Sequence, residues 1–342
     1  MPSSMRTWNQ ILAPYKRPDL LRSSFQLIST SLLMVAAWVL MVQSLSVSYW
    51  LTLLLALPAA GLQVRLFIIQ HDCGHGSFFR SAKANNAVGF LLGVVTLTPY
   101  HYWRRTHAIH HATSGDLDHR EYGDIKTLTV REYRARSRWG KLAYRMYRSM
   151  LVLLVVGPVF QFVLKHRFPF DAPFSWKKEW ASIWGTNLAL AAVVTTFAMT
   201  LGLVPFLLVW APVFLISTAA GIWLFYVQHQ FEDTYWEANE QWQYHRAGLE
   251  GSSYFDMPRV LHWFTGNIGY HHVHHLSSRI PNYRLRRCME ENEELQQVTR
   301  LTLWGSLRCA RLKLWDEDGR RMIGWRGLRT IGDAPAAAAE AA

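Results

Sequence analysis

The chain has 342 residues, 50% of them hydrophobic and 14% aromatic, with 16 Trp and a formal net charge of +12. An aromatic excess suits membrane–water interfaces, and the basic residues flank apolar runs, where they meet anionic lipid headgroups rather than nucleic acid. Cys73, Cys288 and Cys309 form no C-x-x-C pair, which excludes a disulfide framework and a zinc finger.

Residues 1–25 read as a basic amphipathic start broken by Pro14 and Pro18. No cleavable signal peptide is expected, because the first apolar run is long enough to span. Roughly 20 apolar residues cross a bilayer core of about 30 Å, and four segments qualify: 26–44, 48–69, 182–202 and 204–226. Their short links, "QSLSVSYW" and "LGLVPF", carry no charge, whereas Arg80 to Arg148 holds 13 Lys and Arg. The positive-inside rule therefore puts both termini and the 70–180 region in the cytoplasm. Arg65, inside the second run, is expected to snorkel to the interface.

Two further apolar runs, 87–100 and 150–164, are too short to span upright and read as interfacial or dipping helices. If only one of them crossed, later histidines would land on the opposite side. "RLKLWDEDGRRMIGWR", residues 311–326, alternates apolar and polar around Asp318-Gly319 and predicts a β-hairpin. One domain is expected over 1–330, with 331–342 a disordered low-complexity tail.

Histidine spacing carries the chemistry. "HDCGH" places His71 and His75 four apart; "HAIHH" places His107, His110 and His111 three and four apart. His229 closes the fourth apolar run, and "HHVHH" repeats the three-and-four spacing in His271, His274 and His275. On a helix such residues share a face, and His272 points elsewhere. Neutral imidazole is the commonest protein metal ligand. Nine imidazoles supply four or five ligands to each of two metals, an all-nitrogen set that favours iron, zinc, copper or nickel over magnesium or calcium. Box two is expected on a helix starting near Trp103. Carboxylates that accept the far N–H of a ligand fix its tautomer; the candidates are Asp116, Asp118, Glu232 and Asp233, with Asn267 one turn before His271.

The strings "HDCGHGSFF", "HAIHHATSGDLD", "FYVQHQFEDTYWE" and "GNIGYHHVHHLSSRIPNYRL" resemble the membrane fatty acid desaturases, most nearly the bacterial acyl-lipid desaturases, including the Bacillus Δ5 type. The resemblance covers nearly the whole chain. It implies an all-α integral membrane protein with four transmembrane helices, a cytosolic helical cap holding a di-iron site, and an apolar acyl channel. It also implies iron ligation by His71, His75, His107, His110, His111, His229, His271, His274 and His275. One departure stands out: Phe225 occupies the position where some acyl-CoA desaturases carry an Asn that holds a metal-bound water, and Asn267 is a candidate for that role.

Removing hydrogen from an unactivated methylene needs a strong oxidant made from O2, with water excluded and one C–C bond held in place. Two external electrons are needed per turnover. The chain shows no G-x-G-x-x-G, no C-x-x-C-H and no fused cytochrome b5 pattern, so a separate ferredoxin or equivalent is the expected donor, and membrane lipid acyl chains the expected substrate. The expected location is a bacterial cytoplasmic membrane. A hydroxylase or ketolase on the same scaffold is the nearest rival. A metal transporter is the rival from another class, although these histidines cluster outside the bilayer rather than along an ion pathway.

Overall fold

The computed structural model describes residues 5–331 apart from residue 121, so the expected tail at 331–342 lies, after Ile331, outside the described residues. Among the described residues, four helices are long and apolar enough to cross a membrane: Leu20–Ser44, Tyr49–His75, Lys177–Thr200 and Leu203–His229. The first starts six residues before the expected run, where the Asp19 side chain accepts from Arg22 N as an N-cap. The second and fourth have 27 residues each. A helix of that length rises about 40 Å, beyond the hydrocarbon core, so the last turns of both project from it. Those turns carry His71, His75 and His229.

The second span is the central one. Its Ala56 and Ala59 pack with Met41 of the first span and with Val209 and Val213 of the fourth, small residues letting the backbones approach. The outward faces of the first and fourth spans leave Leu21, Phe25, Leu32 and Val204 exposed, as lipid contact requires.

Arg65 does not snorkel. It is buried, donates through Nε to Thr30 Oγ1 at 3.1 Å and also to the Trp263 carbonyl, and its guanidinium lies 4.3 Å from the Trp263 ring centroid. Those partners come from far along the chain: the helix Arg259–Phe264 lies beside the second span, with Phe264 against Gly61.

The helix Ala82–Val95 is too short to span, at 14 residues. Helix Arg138–Tyr147 and the π-helical stretch to Lys165 meet at a bend of 61°, and by composition alone they also fit a broken span or a re-entrant loop. The site decides between these. His110 precedes this segment, His229 follows it and two further spans, and their rings lie 4.9 Å apart. An even number of crossings separates them, so the bent segment returns to the side it left.

The predicted hairpin is present as β4 (Leu314–Asp316) and β5 (Arg321–Ile323), antiparallel with Trp315 opposite Met322. It does not stand alone: β1 (Leu128–Thr129) pairs parallel to β4, making a three-stranded sheet. A second, two-stranded parallel sheet joins β2 (Tyr254–Asp256) to β3 (Arg300–Thr302). At the N-terminus, Trp8, Leu12 and Tyr15 pack against Val273, Leu285, Cys288 and Leu295, so the amphipathic start covers the helix that bears the third box.

Candidate metal centre

Four elements deliver the histidines. The second span ends at Gly76, whose φ of +65° closes the helix in the left-handed region open to glycine. Box two lies on Tyr100–Thr113, which starts three residues before the expected Trp103 because Pro99 opens the helix as its N-cap. His229 is the last residue of the fourth span, and the third box lies on His271–Leu276.

Together they bring nine imidazoles into two groups. His71, His75, His107, His111 and His274 form one; His110, His229, His271 and His275 form the other, and within each group the ligand atoms lie within 4.8 Å of one another. Each box contributes to both groups except the first, which serves only one. Nitrogen faces nitrogen at 2.9 Å for His271 and His229, 3.0 Å for His274 and His111, 3.1 Å for His275 and His271, and 3.2 Å for His111 and His107. Such separations fit neighbouring ligands of one metal at about 2.1 Å from each nitrogen. His75 Nε2 and His110 Nε2 are buried without a hydrogen-bond partner, and a metal would satisfy both. Burial, reinforced by the neighbouring imidazoles, holds His111, His271, His274 and His275 well below the ordinary histidine value, so they are neutral and free to ligate at neutral pH. The donor set fits a pair of metals.

Three hydrogen bonds fix tautomers. His71 Nδ1 donates to Asp72 at 3.2 Å, His110 Nδ1 to Asp124 at 2.6 Å, and His229 Nδ1 to the Gly251 carbonyl at 3.1 Å. Each leaves Nε2 pointing into its group. Asp72 is itself held by the backbone and side-chain N–H groups of Asn282, at 2.7 and 2.8 Å.

The carboxylates expected from sequence lie elsewhere. Asp116 takes hydrogen bonds from His119, Asn239 and Asp118 N, and Asp118 accepts from Asn239 N, so both brace a loop. Glu232 and Asp233 are exposed. Asn267, at φ +58°, donates to the Asn282 carbonyl rather than entering either group. The Phe225 ring lies 5.1 Å from the rings of both His110 and His229, a hydrocarbon wall on the second group. His272 stays outside both groups: its Nε2 donates to the Leu295 carbonyl at 3.0 Å, and burial pushes it down to about 4.

The fatty acid desaturase family model matches residues 46–305, a range that contains all nine histidines. The chain belongs to the fatty acid desaturase family. It is 47% identical over 320 residues to a fatty acid desaturase of Bacillus subtilis, covering 94% of this chain and 90% of that protein. More distant relatives include an sn-1 acyl-lipid omega-3 desaturase (ferredoxin) of Synechocystis, 30% identical over 66% of this chain and 62% of its own length. An sn-1 oleoyl-lipid 12-desaturase of Anabaena variabilis is 28% identical, over 73% of this chain and 71% of its own length. This desaturase is thus an integral membrane oxidoreductase with a histidine-rich cluster able to hold metal at the projecting ends of its spans. Sequence reasoning missed Asp72 and Asp124. Asp72 had a signal, adjacency to His71 inside box one; Asp124 lies in a loop 14 residues after His110, where no periodicity points to it.

Proposed function

We propose that this desaturase introduces a cis double bond into lipid-linked acyl chains, using O2, two irons and electrons from an external ferredoxin-type donor. The observation that carries the metal assignment is the convergence of nine buried or half-buried imidazoles from four elements into two groups. Iron would be held by His71, His75, His107, His111 and His274 in one group and by His110, His229, His271 and His275 in the other. When bound, the irons supply the O2-derived oxidant needed to take hydrogen from an unactivated methylene.

The protein's own part is to orient and to dry the site. Asp72, Asp124 and the Gly251 carbonyl hold the Nδ1 protons and aim Nε2 at the metals. Phe225 and Trp103, the latter stacked on His107 at 4.5 Å, exclude water from the ligand rings. Both termini and the centre face the cytoplasm of a bacterial inner membrane, a reading supported by the basic 80–148 region and the uncharged links between spans. The names of the Synechocystis and Anabaena relatives support the lipid-linked substrate, and the former supports the donor.

Expression in a host lacking desaturases, with mass analysis of its lipids, tests the reaction. Loss of two hydrogens per chain is the expected result; gain of one oxygen establishes a hydroxylase instead. Membranes pre-labelled with saturated phospholipid, given donor and no CoA, should yield unsaturated phospholipid directly. Product arising first on added acyl-CoA or acyl carrier protein overturns the lipid-linked substrate.

A further inference from the structure

We infer that electrons enter at the exposed edge of the first histidine group, where Arg104 and Arg279 form the docking face for an acidic one-electron carrier. The inference rests on the proposed function and names where its donor binds. The two groups are not equally covered. All four histidines of the second group are buried, whereas His75 and His107 of the first are only partly so. A carrier that must approach the metals without entering the membrane finds ligand rings at the surface here.

Charge singles out the same edge. Arg279 donates to the His75 carbonyl at 3.4 Å, and Arg104, one turn of helix before His107 and two before His111, reaches Asn86 at 3.3 Å. Both are exposed, and neither pairs with a carboxylate among the described residues. Arg105, beside them in sequence, is different: Glu179 and the Trp176 ring occupy it.

The sequence flanking each of the two arginines carries no acidic residue. Residues 73–115 and 257–289 contain no Asp or Glu, and these two stretches supply seven of the nine histidines apart from His71 and His229. These two stretches set no carboxylate of their own against an anionic partner, and complementary charge would steer its approach. A rival basic surface, Arg138–Tyr147, offers no histidine: its Lys141 and Arg145 lie over Tyr133 and Trp325. Trp103, stacked on His107 and 5.6 Å from the His71 ring, completes the edge.

The test uses the iron-loaded full chain in nanodiscs of neutral phosphatidylcholine and an acidic [2Fe–2S] ferredoxin as probe. Binding is measured as a function of salt, alongside iron per chain. Arg104→Glu with Arg279→Glu should weaken ferredoxin binding roughly tenfold or more and flatten its salt dependence. The double lysine variant should retain most of the affinity, and Arg326→Glu with Arg329→Glu should change it less than twofold. Should the charge reversal lower iron content, the double glutamine variant takes its place in the same comparison. Wild-type ferredoxin affinity in the reversed variant overturns the inference, as does an equal loss in the Arg326/Arg329 control. A loss confined to phosphatidylglycerol vesicles, with ferredoxin binding intact, makes the arginines a lipid-headgroup site and also overturns it. A wild-type chain that makes unsaturated lipid in cells yet binds no ferredoxin refutes this occupant alone. A wild-type chain without iron or product refutes the proposed function instead.

Discussion

The second carboxylate oxygen of Asp124 is buried without a hydrogen-bond partner, although the first takes the Nδ1 proton of His110. Beside it lies a cavity of about 10 Å³ lined by Phe225, His229 and Gln230, room for about one water. Losing a carboxylate that orients a ligand lowers metal affinity by about 10–100-fold. Asp124→Ala should therefore deplete the second group while leaving the first loaded, read as iron per chain falling from two toward one under a chelator. His110→Ala should abolish product while leaving a membrane-inserted protein, measured by lipid profiling and membrane fractionation. His272→Ala separates ligation from packing. It should keep iron and substantial activity, yet lose about 1–3 kcal/mol because the buried Leu295 carbonyl is left unsatisfied; thermal unfolding in detergent checks this. Loss of activity as complete as that of His271→Ala would contradict it. Periodicity made the clustering of the nine histidines legible, since three-and-four spacing is a local property. The partners that fix their tautomers were hidden because a loop carboxylate has no register with the helix it serves.

At the scale of elements, Arg148 joins pieces that are distant in sequence. Fully buried, it donates to Thr127 Oγ1, to Gln230 Oε1 one residue after His229, to Tyr226 OH and to the Leu312 carbonyl; Lys313 Nζ in turn donates to the Arg148 carbonyl. The bent segment, the end of the fourth span and the terminal hairpin meet at this one side chain. Arg148→Met strands these acceptors and should destabilise by about 2–5 kcal/mol, seen as an earlier unfolding transition and looser retention of iron. Burial and the nearby Arg148 charge push Lys313 down to about 8. Because its value in the folded state lies below that of the unfolded chain, its burial penalty is present in full below pH 8. It is relieved as pH rises from about 8 toward 10.5. The unfolding temperature of the wild type should rise relative to Lys313→Met across that window. The spans and the hairpin were legible because each is coded within a contiguous run. β1 joining the hairpin, β2 pairing with β3, and Trp263 capturing Arg65 were not, since each unites segments dozens to hundreds of residues apart.

For the whole molecule, the proposed orientation has a direct reading. Ser46, exposed in the link between the first two spans, should as Ser46→Cys react with an impermeant thiol reagent from outside the cell. The native cysteines are all buried and contribute little background. Labelling only after the membrane is breached would reverse the topology. Hydropathy marked the four crossings, but the even count between His110 and His229 came from their proximity in space.

Histidine groups drawn from residues 71 to 275 also set an order of biogenesis. A ribosome that has released all four spans into the bilayer has still delivered neither histidine group whole, since one waits for His274 and the other for His271 and His275. The N-terminal helix, made first, waits equally long for Leu285, Cys288 and Leu295 to arrive beneath Trp8 and Tyr15. Insertion of the spans and assembly of the histidine groups are therefore successive events, and the chain passes through a stage in which it is anchored while both groups are still incomplete. The two histidine groups are complete only when the last third of the polypeptide folds back over the first.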